Sequence, residues 1–68
     1  MSRIKILVWE VRTSKGFTLM ELSKKSGIGK STINNIENGK VSPTLFQIEM
    51  IANALGVNIS DLFESEYK

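Results

Sequence analysis

The stretch Gly27-Ile28-Gly29-Lys30-Ser31-Thr32 sets a lysine and two hydroxyls behind a pair of glycines. It ends like a loop that cradles phosphate. A P-loop has the form G-x-x-x-x-G-K-[ST] and follows a buried strand. Five positions before Gly29 stands Lys24, and the preceding "MELSKKSG" holds no run of β-branched apolar residues. The segment therefore does not read as a nucleotide-hydrolase site. A different chemistry lies just downstream. In "KSTINNIENGK", Ile33 and Ile36 mark one side of a helix and leave Ser31, Asn34, Asn35 and Asn38 on the other, with Lys30 at the flank. An asparagine amide can pair with adenine N6 and N7, and a lysine can reach guanine O6 or N7. The competing reading is a polar face in water. Asparagine is a poor helix former, and Glu, Lys or Ala would stabilise an exposed helix better. Two adjacent asparagines on that face point to a binding use.

Length and composition narrow the choices. The 68 residues suit one small domain, and no internal repeat, low-complexity tract or linker breaks them. A chain of this size buries only about 60% of its unfolded surface, too little for an enclosed catalytic cavity. Cysteine and histidine are both absent. That removes disulfides, thiolate metal sites and the commonest general base. No enzyme, no cofactor and no metal site is expected. The apolar stretches are too short for a membrane span or a signal peptide, so a cytoplasmic location is expected. The net charge of +2 is unevenly spread. Residues 1–40 hold eight Lys or Arg against three acids, a balance of +5; residues 41–68 hold one against four, a balance of −3. The basic half suits a polyanion.

The positioning elements follow from local signals. Ile4, Leu7, Val8 and Val11 keep the i, i+3, i+4, i+7 spacing and predict a first helix over about residues 3–15, stopped at Gly16. "IKILVWEV" is also rich in strand formers, so a short strand at residues 2–6 is the alternative. Thr18 with Glu21 forms a capping box for a second, short helix, with Phe17 at the staple position and Gly27 as its left-handed stop. The third helix ends at Asn38-Gly39. Thr44 caps a fourth, whose inner face carries Leu45, Ile48, Ile51, Ala52 and Leu55, and Gly56 closes it. Asn58 or Ser60 caps a last turn with Ile59, Leu62 and Phe63. The expected fold is all-α, with five short helices in one domain over 1–68.

Two short helices joined by a glycine-bearing turn make a helix-turn-helix, here over about residues 18–37. The wording carries a further likeness. "IENGK", "SPTL", "IANALGV" and "DLF", in that order and spacing, resemble the Cro/phage-repressor type of helix-turn-helix regulator, from about Ile4 to Phe63. The resemblance implies a compact five-helix domain whose third helix enters the major groove of double-stranded DNA. It implies a transcription regulator, most simply a repressor, that acts as a homodimer on an inverted repeat. On this reading Gly27 and Gly29 frame the turn, and Lys30, Ser31, Asn34 and Asn35 read bases. Thr18, Asn38 and Lys40 lie where the family grips phosphate. Arg12 and Glu37 match a structural pair of the family. Many members carry glutamine after the cap, where this chain has Leu19, and alanine where it has Ser23.

Three further expectations complete the reading. Ile59, Leu62, Phe63 and Tyr67 offer a dimer surface, and Trp9 with Ile6 a second one on the outer side of the first helix. No appended effector domain is expected, hence no direct small-molecule sensing. The rival function is a protein-binding module of the antitoxin or antirepressor kind on the same fold, favoured by Leu19 and Trp9.

Overall fold

A computed structural model of the chain describes residues 4–68. A two-residue strand, β1 (Lys5–Ile6), leads into helix α1 (Val8–Ser14). Helices α2 (Leu19–Ser26), α3 (Lys30–Glu37) and α4 (Leu45–Leu55) follow. A 3-10 turn (Ile59–Leu62) then runs into β2 (Phe63–Glu64), which pairs antiparallel with β1.

Local chemistry sets the helix starts. Thr18 Oγ1 accepts the Glu21 N–H at 3.0 Å, while the Thr18 N–H donates to Glu21 Oε1 at 2.8 Å. The same reciprocal box recurs at Thr44 and Gln47, with both bonds at 3.0 Å. Each box satisfies two of the amides that a helix start leaves without partners. Gly27 closes α2 at φ 77°, a left-handed conformation that costs a side chain with a Cβ roughly 1–2 kcal/mol. Gly29, by contrast, sits at φ −58° in ordinary space. Only the first of the two turn glycines is there for its backbone freedom.

The core lies where α2 packs against α3 and α4, with α1 and the 3-10 turn closing it. Val8, Leu22, Ile33, Ile36, Ile51 and Leu62 are fully buried. Full burial of one such side chain contributes about 1.5–3 kcal/mol.

Four expectations need correction. The first helix begins at Val8 and not near residue 3, which itself lies outside the described residues. The alternative strand is what forms at Lys5–Ile6. Its partners are Glu64 and Phe63, and the Leu7 N–H adds a bond to the Leu62 carbonyl at 2.8 Å. Tertiary pairing outweighs the helical spacing, and Ile4 is left 65% exposed. The fifth helix is a four-residue 3-10 turn, its start held by the Asn58 N–H on Asp61 Oδ2 at 3.0 Å. It stops because Phe63 must extend to meet β1. The fold is therefore mostly helical, four α-helices with a small two-stranded sheet. Leu45 is 81% exposed. It opens α4, and helical side chains tilt back toward the N-terminus, so its own leaves the core. Leu62 is fully buried inside the monomer and offers nothing to a partner surface. Among the described residues, no helix is long and apolar enough to cross a membrane.

Candidate nucleic-acid interface

α3 is anchored by what it buries. Ile33 and Ile36 are 0% exposed, which turns Lys30, Ser31 and Asn34 into solvent and leaves Asn35 half-buried on the flank. Asn38 Nδ2 donates to Asn34 Oδ1 at 3.3 Å. Asn34 thus keeps its two amide hydrogens for an outside acceptor, while its oxygen is already engaged. Lys30 and Lys40 are exposed and make no ion pair among the described residues.

The end of α3 is closed internally. The Asn38, Gly39 and Lys40 N–H groups donate to the carbonyls of Asn34, Ile36 and Asn35 at 3.0, 3.2 and 2.9 Å. These backbone amides cannot also hold a phosphate. Any grip at this flank falls to the Asn38 side chain and the Lys40 ammonium. At the other flank, the Thr18 N–H is taken by Glu21, but the Thr18 hydroxyl keeps its own proton. The Leu19 and Met20 amides, in the first turn of α2, have no intrahelical partner. Glu21 sits among them as a carboxylate. The Thr18 backbone N–H and then the Thr18 side chain hold its pKa below the ordinary glutamate value.

Arg12 fixes α3 from behind. Its Nε donates to Glu37 Oε2 at 2.7 Å, its Nη2 to Glu37 Oε1 at 3.1 Å and its Nη1 to the Phe17 carbonyl at 2.9 Å. One guanidinium therefore joins α1, the loop before α2 and the last turn of α3. Lys25 lies with its Nζ 5.5 Å from the centre of the Phe17 ring, a cation–π distance, which gives it a packing use of its own.

Sequence reasoning missed the part played by two serines. Ser23 Oγ donates to the Ile28 carbonyl at 2.7 Å, and the Ile28 N–H donates to Ser26 Oγ at 3.2 Å. Ser26 is 7% exposed, and a buried serine in an otherwise apolar helix face was the available signal. Leu19, offered as a surface for a protein partner, packs against the core instead. Trp9 is 53% exposed. No group of three or more Asp or Glu side chains that could hold a metal ion occurs among the described residues.

Comparison with known proteins agrees with this geometry. The profile of the family described as helix-turn-helix matches residues 10–62. An HTH-type transcriptional regulator of Methanothermobacter thermautotrophicus is 38% identical over 61 residues, covering 88% of each chain. The immunity repressor protein of Bacillus phage phi105 is 29% identical over 56 residues, covering 82% of this chain and 39% of the repressor. Among solved structures, the restriction-modification controller protein C.AhdI from Aeromonas hydrophila superposes with a TM-score of 0.79 at 32% identity, over 82% of this chain and 85% of that one. Two helices joined by a three-residue turn, the second with a polar outer face, inside a profile that spans most of the sequence, place the chain in the helix-turn-helix family of the phage-repressor type, as a transcriptional regulator with a DNA-binding domain.

Proposed function

We propose that the chain represses transcription by binding an inverted-repeat operator as a homodimer, with α3 in the major groove. The observation that carries this reading is the outer face of α3, where Lys30, Ser31 and Asn34 stand exposed above a fully buried Ile33 and Ile36. A recognition helix reads base edges with its N-terminal residues while flanking groups hold phosphates. Lys30, Ser31, Asn34 and Asn35 are the readers in this scheme; Thr18, Asn38 and Lys40 hold the backbone. The repressor role is supported by the likeness to a phage immunity repressor. The homodimer is supported by exposed apolar side chains at Ile59, Tyr67 and Trp9.

Selection of bound sequences from a random double-stranded pool tests the whole reading. An enriched inverted repeat with half-sites about one helical turn apart, ~34 Å, is the expected product. No enrichment, together with no shift of genomic fragments in a gel, would remove it. One observation favours a second reading, a protein-binding module: Trp9 and Met20 are each 53% exposed. That reading gains only from the negative DNA result.

A further inference from the structure

Ile28 is the buried middle of the turn between α2 and α3, 7% exposed and flanked by glycines. Its backbone lies outside both helices. The first bond of α3 runs from the Ile33 N–H to the Gly29 carbonyl at 3.0 Å, so neither polar group of Ile28 has a helical partner. Each is met by a serine instead. The N–H donates to Ser26 Oγ at 3.2 Å, and the carbonyl accepts from Ser23 Oγ at 2.7 Å. Ser23 acts twice, because its own carbonyl accepts the Gly27 N–H at 2.9 Å. A buried backbone group without a partner costs about as much as a missing hydrogen bond, so this turn depends on both hydroxyls.

The start of α3 sharpens the point. α2 and α4 each begin with a reciprocal capping box, whereas α3 begins at Gly29 with no side-chain cap. The turn that leads into α3 is held not by a cap in front of the helix but by two hydroxyls on α2. We propose that Ser23 and Ser26 are positioning residues that clamp Ile28, fix the angle of α3 to α2 and thereby set how sharply α3 discriminates between base sequences. The link to discrimination rests on the DNA-reading function proposed above. Phosphate-driven binding tolerates a range of orientations, but hydrogen bonds to base edges do not. Loosening the clamp weakens the preferred site and spares the unrelated one.

The experiment uses the full chain with Ser23→Ala, Ser26→Ala and Ser23→Thr, the last keeping the hydroxyl. Amide exchange is followed at Ile28 and Ile33, and at Ile51 and Leu55 in α4 as reporters of global opening. Affinity is measured for the selected operator and for an unrelated duplex of equal length. The two alanine variants are expected to speed exchange at Ile28 and Ile33 by roughly threefold to tenfold relative to α4, the weight of one hydrogen bond. They are expected to weaken the operator by the same factor and the unrelated duplex by less than about twofold, with Ser23→Thr restoring both. Unchanged exchange at Ile28 and Ile33 overturns the clamp. So does a proportional loss on both duplexes that tracks a lower melting temperature, because the serines then serve stability alone. If the unmodified protein prefers no sequence, the operator reading fails by itself, and the exchange measurements still decide the clamp.

Discussion

Arg12 and Glu37 meet through two parallel bonds, Nε to Oε2 at 2.7 Å and Nη2 to Oε1 at 3.1 Å, with side chains only 10% and 3% exposed. Two-pronged geometry of this kind fixes direction as well as distance. The pair ties the last turn of α3 to α1 across 25 positions of sequence. Removing one partner leaves the other charge buried, so Glu37→Ala is expected to cost ~3–5 kcal/mol of stability. Replacing both residues with apolar side chains of similar volume should cost much less. Chemical denaturation of the two single variants and the double variant gives the coupling directly; a coupling near zero would remove the pair from the account of stability.

Base reading and phosphate holding separate under mutation. Lys30→Ala or Asn35→Ala is expected to cost ~1–3 kcal/mol on the preferred operator and to relax discrimination at one position per half-site. Lys40→Ala should weaken all sequences alike and lower the salt slope by about 1 for each phosphate it no longer neutralises. Binding across single-base operator variants at several salt concentrations distinguishes the two behaviours. Unchanged base preferences in the first pair would take the reading role from α3.

The two glycines of the turn should respond in opposite directions. Gly27 is left-handed, and that conformation alone opposes a side chain, because a Cβ there would meet Met50 Cε at 3.7 Å, an ordinary contact. Gly27→Ala is expected to destabilise by ~1–2 kcal/mol. Gly29 has an ordinary φ and its nearest neighbour, Thr32 Oγ1, at 3.9 Å. Gly29→Ser is expected to stabilise by ~0.5–1 kcal/mol, through a less flexible unfolded chain and a new cap. Thermal melts of both variants check the signs, and equal losses at the two positions would contradict the distinction.

Glu21 gives the α2 cap a dependence on pH. Its folded pKa is depressed, first by the Thr18 N–H and then by the Thr18 side chain. A depressed carboxylate contributes stability that is complete above the ordinary glutamate range and is lost as pH falls through the folded value. Acidification below that range should therefore weaken the start of α2, and Glu21→Gln should remove this part of the slope. Melting temperature against pH for the two proteins is the measurement; parallel curves would discount the carboxylate.

Assembly can be tested on the apolar surface. Ile59 is 38% and Tyr67 83% exposed, while Phe63 is half-buried. A dimer is expected at tens of micromolar, roughly the scale a small interface supports, with Ile59→Asp shifting it to monomer. Sedimentation over a concentration series reads this out. A monomer throughout, with and without DNA, would exclude a stable homodimer.

How much of this was legible in the sequence follows the range of each interaction. The Thr18–Glu21 box spans four residues and is read directly, as is the inward pair Ile33 and Ile36. The roles proposed for Lys30, Ser31, Asn34, Asn35, Thr18, Asn38 and Lys40 rest on helix geometry and resemblance together. Arg12 and Glu37 carry no local signal for each other, so only resemblance joined them. The strand at Lys5–Ile6 was one of two open readings, because its partner lies at the far end of the chain. The fate of Leu45 turned on side-chain tilt at a helix start, which a wheel does not represent. The hydroxyl of Ser23 looked like a mere small residue, because its acceptor is a carbonyl five positions on.

The pairing of β1 with β2 bears on the order in which the molecule assembles. Nearly the whole chain separates Lys5 from Glu64, whereas α2 and α3 are neighbours joined by three residues. Pairings between distant positions form only after the entropy of closing a long loop has been overcome, while local ones form fast. The α2–α3 pair is therefore expected to collapse first and the ribbon to zip last. On unfolding, the ribbon is expected to fray first, with the α2–α3 pair staying in place as the chain ends open.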